Sequence, residues 1–362
     1  MSIKNYLLSP FTDQNKKRST HGDSLYSLDG LRGLAVLIVL MSHTSAFGMY
    51  AQGSLGVLLF YFLSGFVLTL PYIEEPKKLL NKKGLFRYAT NRFLRLVPIY
   101  VVAITVYALY SGSDFSWFLY HVSFIKGANH FWSVAEEARF YILFPLVIIV
   151  LALIPKYTLR ILTLSILIYY AYQYKQLHKI DMMDGRNVAF YFWMFLGGSL
   201  ASMIYGSPLL KKFKDIVLLK YTLSISAVIV LLLLFLTSNH MIATLWHPLF
   251  PALLENVSLN GWHIPDVWFA LFLILLVTVT TYTDTAASKF LQSPLLRHLG
   301  LLSYSLYLFH MLILKHLSKY YGISKEELFV AVFVISWFIA IISYLAIEKP
   351  FSMFKSKKKE TR

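Results

Sequence analysis

Residues 28–48, LDGLRGLAVLIVLMSHTSAFG, decide the fold. Only Asp29, Arg32 and His43 bring titratable groups into this 21-residue run. About 20 apolar residues, rising 1.5 Å each as a helix, cross the hydrocarbon core of a bilayer. Nine further runs of the same kind follow, near 54–73, 96–110, 131–153, 158–174, 188–205, 220–237, 264–284, 300–318 and 327–347. The chain has 362 residues, of which 57% are apolar and 14% charged. A soluble domain carries about 25% charged residues, so an ordinary soluble enzyme is excluded. The 28 Phe, 25 Tyr and 7 Trp exclude a disordered or fibrous chain. The expected fold is an all-α polytopic integral membrane protein of about ten transmembrane helices. One transmembrane domain, 25–350, stands between a polar tail (1–24) and a basic tail (351–362).

Charge tests that topology. With both termini cytoplasmic, only Lys126, Lys175, Lys179, Arg186, Lys315, Lys319 and Lys325 of the 34 Lys and Arg fall on the outer side. Arg139 lies inside a span, and the rest are cytoplasmic, the asymmetry that orients membrane helices. The formal net charge of +16 therefore reads as topology and lipid attraction, not as a nucleic-acid surface. The Lys-rich stretch from Lys355 to Lys359 belongs against anionic lipid heads. The longest outer connector, about 238–263, carries Trp246, Pro248 and Pro251 and is too short for a further domain. The chain has no cysteine, which removes disulfides, thiolate nucleophiles and Cys zinc sites.

Ionisable groups inside spans are costly and mark function or pairing. Arg32 and His43 lie about 20° apart around one helix and about 16 Å apart in depth. Arg32 reads either as an interfacial side chain reaching phosphate heads or as one level of a polar channel. His43, beside Ser42, Thr44 and Ser45, is either a structural imidazole or a base in a wet pocket. The fourth run, FWSVAEEARFYILFPL (131–146), holds three charges. Glu136 and Arg139 stand three apart and can neutralise each other, whereas Glu137 points about 100° away. Counted from the outer ends of their helices, His43 and Glu137 share one depth, so a Glu–His pair is an expectation.

The connector 74–95 gathers Lys77, Lys78, Lys82, Lys83, Arg87, Arg92 and Arg95 against Glu74 and Glu75. Arg92 and Arg95 lie on one face where a helix should begin, and guanidinium forks suit phosphate oxygens. A polyphosphate ligand arriving from the cytoplasm would meet them. His310 sits in the ninth run with Ser303, Tyr304, Ser305 and Tyr307, a polar stripe equally compatible with packing. No histidine pair has metal spacing with a carboxylate, so no metal is expected. No Walker loop and no serine nucleophile elbow occurs either.

The stretches SLDGLRGLAVLIVLMSH (27–43), GVLLFYFLSGF (56–66), RFLRLVPIY (92–100), FWSVAEEARFYILFPL, LGLLSYSLYLFH (299–310) and IEKPF (347–351) resemble, in this order, the membrane-bound acyltransferase 3 family of bacterial O-acyltransferases. The resemblance covers residues 25–352. It implies a ten-helix enzyme of the inner cell membrane that passes an acyl group, usually acetyl, from cytoplasmic acetyl-CoA or another acyl-CoA to a hydroxyl of a cell-surface or lipid-linked carbohydrate. It places the family's Arg and His pattern on Arg32 and His43, its paired arginines on Arg92 and Arg95, and its motif glutamate on Glu137. His43 and Glu137 are then the catalytic candidates, and Arg32, Arg92 and Arg95 hold the donor. Trp132, Ser133, Tyr141 and His310 are the candidate substrate-binding residues. Ala138, Arg139 and Leu58 depart from residues common in relatives. Relatives often carry an extracytoplasmic hydrolase-like domain, and the basic tail here implies the stand-alone form. A transporter of a glycan precursor or acyl compound is the alternative that a polar-lined bundle also allows.

Overall fold

Every apolar run of the sequence contains a helix in the computed structural model, which describes residues 26–48, 53–124, 127, 129–177, 188–238, 267–319 and 322–351. The long helices are α1 (Tyr26–Thr44), α2 (Gly53–Thr69), α3 (Lys82–Ser111), α4 (Trp132–Leu153), α5 (Tyr157–Leu177), α6 (Val188–Gly206), α7 (Val217–Ser238), α8 (Val267–Thr281), α9 (Pro294–Leu317) and α10 (Lys325–Ser343). No strand occurs among the described residues. Four segments among them are long and apolar enough to cross a membrane: Gly53–Tyr72, Lys82–Ser111, Val217–Leu234 and Lys325–Phe351. The polar tail 1–24, nearly all of the 238–263 connector and the Lys355–Lys359 stretch lie outside the described residues.

By contact the chain divides into two units. One comprises Met1–Leu63 with Ile204–Ala340, the other Ser64–Met203 with Ile341–Arg362. In the first unit, α1 and α9 pack together. A Cβ placed on Gly30 would fall onto the backbone of Leu291, and one on Gly300 onto the backbone of Asp29. Small residues let helix backbones meet this closely where apolar lipid offers no hydrophobic drive to associate them. Gly33 meets Leu296 in the same way. The contacts climb both helices together from Gly33 and Leu296 to His43 and His310, so α1 and α9 run parallel. Elsewhere in this unit α7 packs on α8, and Phe62 meets Phe269 and Phe272 edge-on, with centroids 5.6 and 5.9 Å away.

In the second unit, α3 starts well before the expected 96. Its first turn is capped by Asn81, whose side-chain oxygen accepts the Gly84 N–H at 2.7 Å. The basic residues from Lys82 to Arg95 therefore lie on a continuous helix, because Lys and Arg are good helix formers. The helix ends at Gly112 in the left-handed region, φ 63°. Here α3 contacts α4 and the π-helical turn Tyr344–Glu348, and Phe140 of α4 stacks on Phe195 of α6 at 4.0 Å. The connector after α3 contains a short helix, Phe115–Val122, capped by Asp114. Its carboxylate accepts the Trp117 N–H at 2.9 Å and the Ser116 hydroxyl at 2.8 Å. Those bonds hold Asp114 below the usual carboxylate range. In the same helix, burial beneath Trp117 pushes the His121 imidazole down.

The glycine contact yields a stability prediction. Gly300→Leu should destabilise the protein by about 1–3 kcal/mol, because neither backbone can retreat without losing the packing of α1 on α9. Thermal unfolding in detergent would show a clear drop in midpoint. Leu109→Ala, on a side chain 79% exposed, should leave that midpoint almost unmoved.

Candidate functional site

Among the described residues, His43 and Glu137 each stand in a polar cluster, one in each unit. In the first unit the cluster lies at the end of α1. His43 occupies the last turn, and its Nδ1 is 2.8 Å from Nε2 of His310 on α9. The rings stack with centroids 5.0 Å apart and an angle of 18°. His310 has no exposed surface, and its Nδ1 lies 2.6 Å from the Tyr307 carbonyl oxygen. His43 itself is exposed. Gly53 lies beside the His43 ring: a Cβ there would sit 3.8 Å from Nε2, at ordinary van der Waals distance. The Gly53 N–H in turn donates to Ser42 Oγ at 2.8 Å. Just beyond His43 the chain turns sharply. Ser45 and Phe47 take φ of 56° and 54°, a left-handed backbone that is costly for side-chain-bearing residues. Phe47 is anchored to α10, its N–H donating to Glu326 at 3.1 Å and its ring meeting Phe329 at 5.6 Å.

Arg32 lies nearly two turns into α1 and pairs with Asp29 at 3.2 Å. Asp29 is buried and Arg32 nearly so, which makes this pair part of the unit's interior.

In the second unit the cluster centres on Glu137 of α4. Ser64 of α2 donates to Glu137 Oε1 at 2.6 Å, and the Tyr141 hydroxyl donates to the same oxygen. Oε2 accepts no hydrogen bond from a described residue. The Tyr141 backbone carbonyl accepts from the Tyr88 hydroxyl of α3 at 2.8 Å. Arg92, one turn further along α3, lies over the Tyr141 ring with its guanidinium carbon 5.6 Å from the centroid. Its Nε is buried without a hydrogen-bond partner among the described residues. The charge of Arg95 reaches the same phenol, and its side chain is exposed. One helix turn and a ring stack thus bring the expected phosphate-binding arginine and the expected carboxylate within one cluster.

Glu136 pairs with Arg139 at 2.7 Å, and Arg139 Nε also donates to the Phe124 carbonyl at 3.1 Å. Glu136 is wholly buried, so its charge is neutralised locally, as its spacing from Arg139 predicts. Of the expected substrate residues, Trp132 packs on Tyr191 at 5.2 Å, and Ser133 is buried and donates to the His130 carbonyl at 3.1 Å. His310 has its two ring nitrogens turned to Tyr307 and His43. It stands as a partner of the other histidine.

The sequence reading did not single out Ser64, Gly53, Tyr88 or the carbonyl of Tyr307. Ser64 carried a faint signal, a small hydroxyl in the apolar FYFLSGF. The others are tertiary neighbours with no local mark. Among the described residues no group of three or more His, Cys, Asp or Glu side chains is placed to hold a metal ion.

Among the described residues the fold is helical, with one polar cluster around a histidine and another around a carboxylate. The family model described as an acyltransferase domain matches residues 25–348, and the chain belongs to the acyltransferase 3 family. It is 27% identical to the O-acetyltransferase OatA of Staphylococcus aureus strain NCTC 8325, a match covering 90% of this chain and 57% of that protein. It is 25% identical to a putative O-acetyltransferase of S. aureus strain COL, over 94% of this chain and 58% of the relative. The chain thus spans a little over half the length of these relatives. No solved structure matches it.

The buried ion pair makes a prediction of its own. Glu136→Gln should lower stability by about 1.5–3 kcal/mol, the range for a hydrogen bond to a charged group. Thermal unfolding should register the loss, while activity per folded molecule stays within about twofold.

Proposed function

We propose that the protein is an O-acetyltransferase that moves an acetyl group from acetyl-CoA to a hydroxyl of a cell-surface or lipid-linked carbohydrate. The reading extends to a multi-pass protein of the inner cell membrane with ten spanning helices and both termini in the cytoplasm. It is carried above all by one observation, the exposed edge of His43 at the end of a helix whose other polar side chains are paired. The two S. aureus relatives, both named as O-acetyltransferases, favour acetyl as the group and a hydroxyl as the acceptor.

The chemistry follows from the groups. His43 takes the proton of the acceptor hydroxyl as its oxygen bonds to the thioester carbonyl carbon. The carbon–sulfur bond breaks, the thiolate leaves, and the imidazolium returns the proton to sulfur, giving free CoA and the sugar ester. Glu137 is the second catalytic group of the reading, a carboxylate held by two hydroxyls at Oε1. Arg92 and Arg95 bind the phosphates of the donor, and the buried Arg92 Nε, with no hydrogen-bond partner among the described residues, supports an anion there. Arg32, engaged with Asp29, has the more structural part in donor binding. Trp132, Ser133 and Tyr141 are assigned to the substrate side through the helix that also carries Glu137.

Purified protein incubated with acetyl-CoA should release free CoA, and His43→Ala should lower that rate by about 10²-fold or more. Unchanged release in His43→Ala would reject the mechanism. Glu137→Gln should likewise reduce turnover while the unfolding midpoint is kept. Replacing Arg92 and Arg95 together by Ala should raise the KM for acetyl-CoA at least tenfold, with a smaller change in kcat. A donor KM that stays put would remove the phosphate role.

A further inference from the structure

The contact between His43 and His310 determines which nitrogen of His43 is free to react. His310 Nδ1 lies 2.6 Å from the carbonyl oxygen of Tyr307. A carbonyl only accepts, so the proton in that contact belongs to His310 Nδ1. Charge on a ring with no exposed surface is expensive, and a neutral imidazole has one N–H and one lone pair. The lone pair of His310 is then on Nε2, which faces His43 Nδ1 at 2.8 Å. The proton between the rings must come from His43 Nδ1. That leaves the lone pair of His43 on Nε2, the ring nitrogen that His310 does not engage.

We infer that His310 is a positioning residue that locks His43 in its Nδ1–H tautomer and aims Nε2 at the acceptor hydroxyl. This rests on the reading of His43 as the base. The chain of donors is ordered from one end: the Tyr307 carbonyl fixes His310, and His310 fixes His43. When Nε2 takes the hydroxyl proton, His43 becomes a cation and its Nδ1–H donates more strongly to His310 Nε2. The contact is tighter in the charged state than in the resting one, so it favours the transition state and acts on kcat. When the imidazolium hands its Nε2 proton to the departing thiolate, the original tautomer returns and no proton has moved through His310. A ring held only by packing would be free to carry its proton on Nε2, where it blocks the reaction.

Full-length protein in detergent, with acetyl-CoA as donor and a soluble N-acetylglucosamine oligosaccharide or water as acceptor, tests this through free CoA release. His310→Leu removes the acceptor at Nδ1 and should lower kcat about 10²-fold, the lower bound for losing a positioned base, with the acetyl-CoA KM within twofold. His310→Gln offers a carboxamide oxygen where Nε2 stood and should recover most of the loss. In protein labelled with 15N at histidine, the resonances lost in His43→Ala should report a proton on Nδ1 in the native chain. That measurement needs no variant at 310 to fold. A proton on Nε2 of His43, full kcat in His310→Leu, or a Gln variant no better than Leu would overturn the positioning role. Turnover surviving in His43→Ala would instead overturn the base reading, while the 15N spectrum still reports the pairing itself.

Discussion

The backbone-to-backbone approach of α1 and α9 is the constraint on which the first unit depends. Two glycines, Gly33 of α1 and Gly300 of α9, sit where any side chain would collide with the opposing main chain, and Gly30 stands in the same way against Leu291, just before α9. In an apolar medium the gain is close packing itself, since burial away from water contributes little. The contact also sets rotation and register. His43 follows Gly33 by ten residues and His310 follows Gly300 by ten, so two helices in parallel carry their histidines to one level. A slip of one residue would turn a ring about 100° away from its partner.

In the second unit the charges divide by what their neighbours do. Arg139 is satisfied by Glu136 and by a carbonyl, and that pair belongs to the structure of α4. Arg92 has a ring beneath it and a buried nitrogen that no described residue meets. Glu137, next to Glu136 in sequence, has hydroxyl donors in place of a cation. Two adjacent carboxylates on one helix therefore differ in kind, one neutralised in place and one held open, because 100° of rotation gives them different neighbours.

Much of the fold was legible because hydrophobic run length is a local property. Each apolar stretch contains a helix, and the ion pair three residues apart was readable for the same reason. What escaped depends on tertiary contact or on capping. The start of α3 at Lys82 was missed because a run of charges reads as connector, although Asn81 caps a helix straight through it. The helix Phe115–Val122 was too short to show a period. The expected partner of His43 was a carboxylate at matching depth, and the described partner is a histidine 267 residues away. Depth along a helix follows from counting residues, but azimuth between helices follows from packing, which a single sequence does not display. The sequence therefore marks His43, Glu137 and Arg92 as candidates and is silent about Ser64 and Tyr307.

The turn after His43 ties distant parts of the first unit together. Phe47 holds an unfavourable backbone conformation and relies for its anchor on Glu326 and Phe329, at the head of α10. The exit of the first helix is thus secured by a segment nearly three hundred positions later in the chain. Amino-acid replacements at the head of α10, far from any reacting atom, would loosen this clasp and let the final turn of α1 fray. Tolerance to mutation around residue 326 is consequently coupled to the placement of the imidazole, a dependence that distance from the reaction centre would conceal.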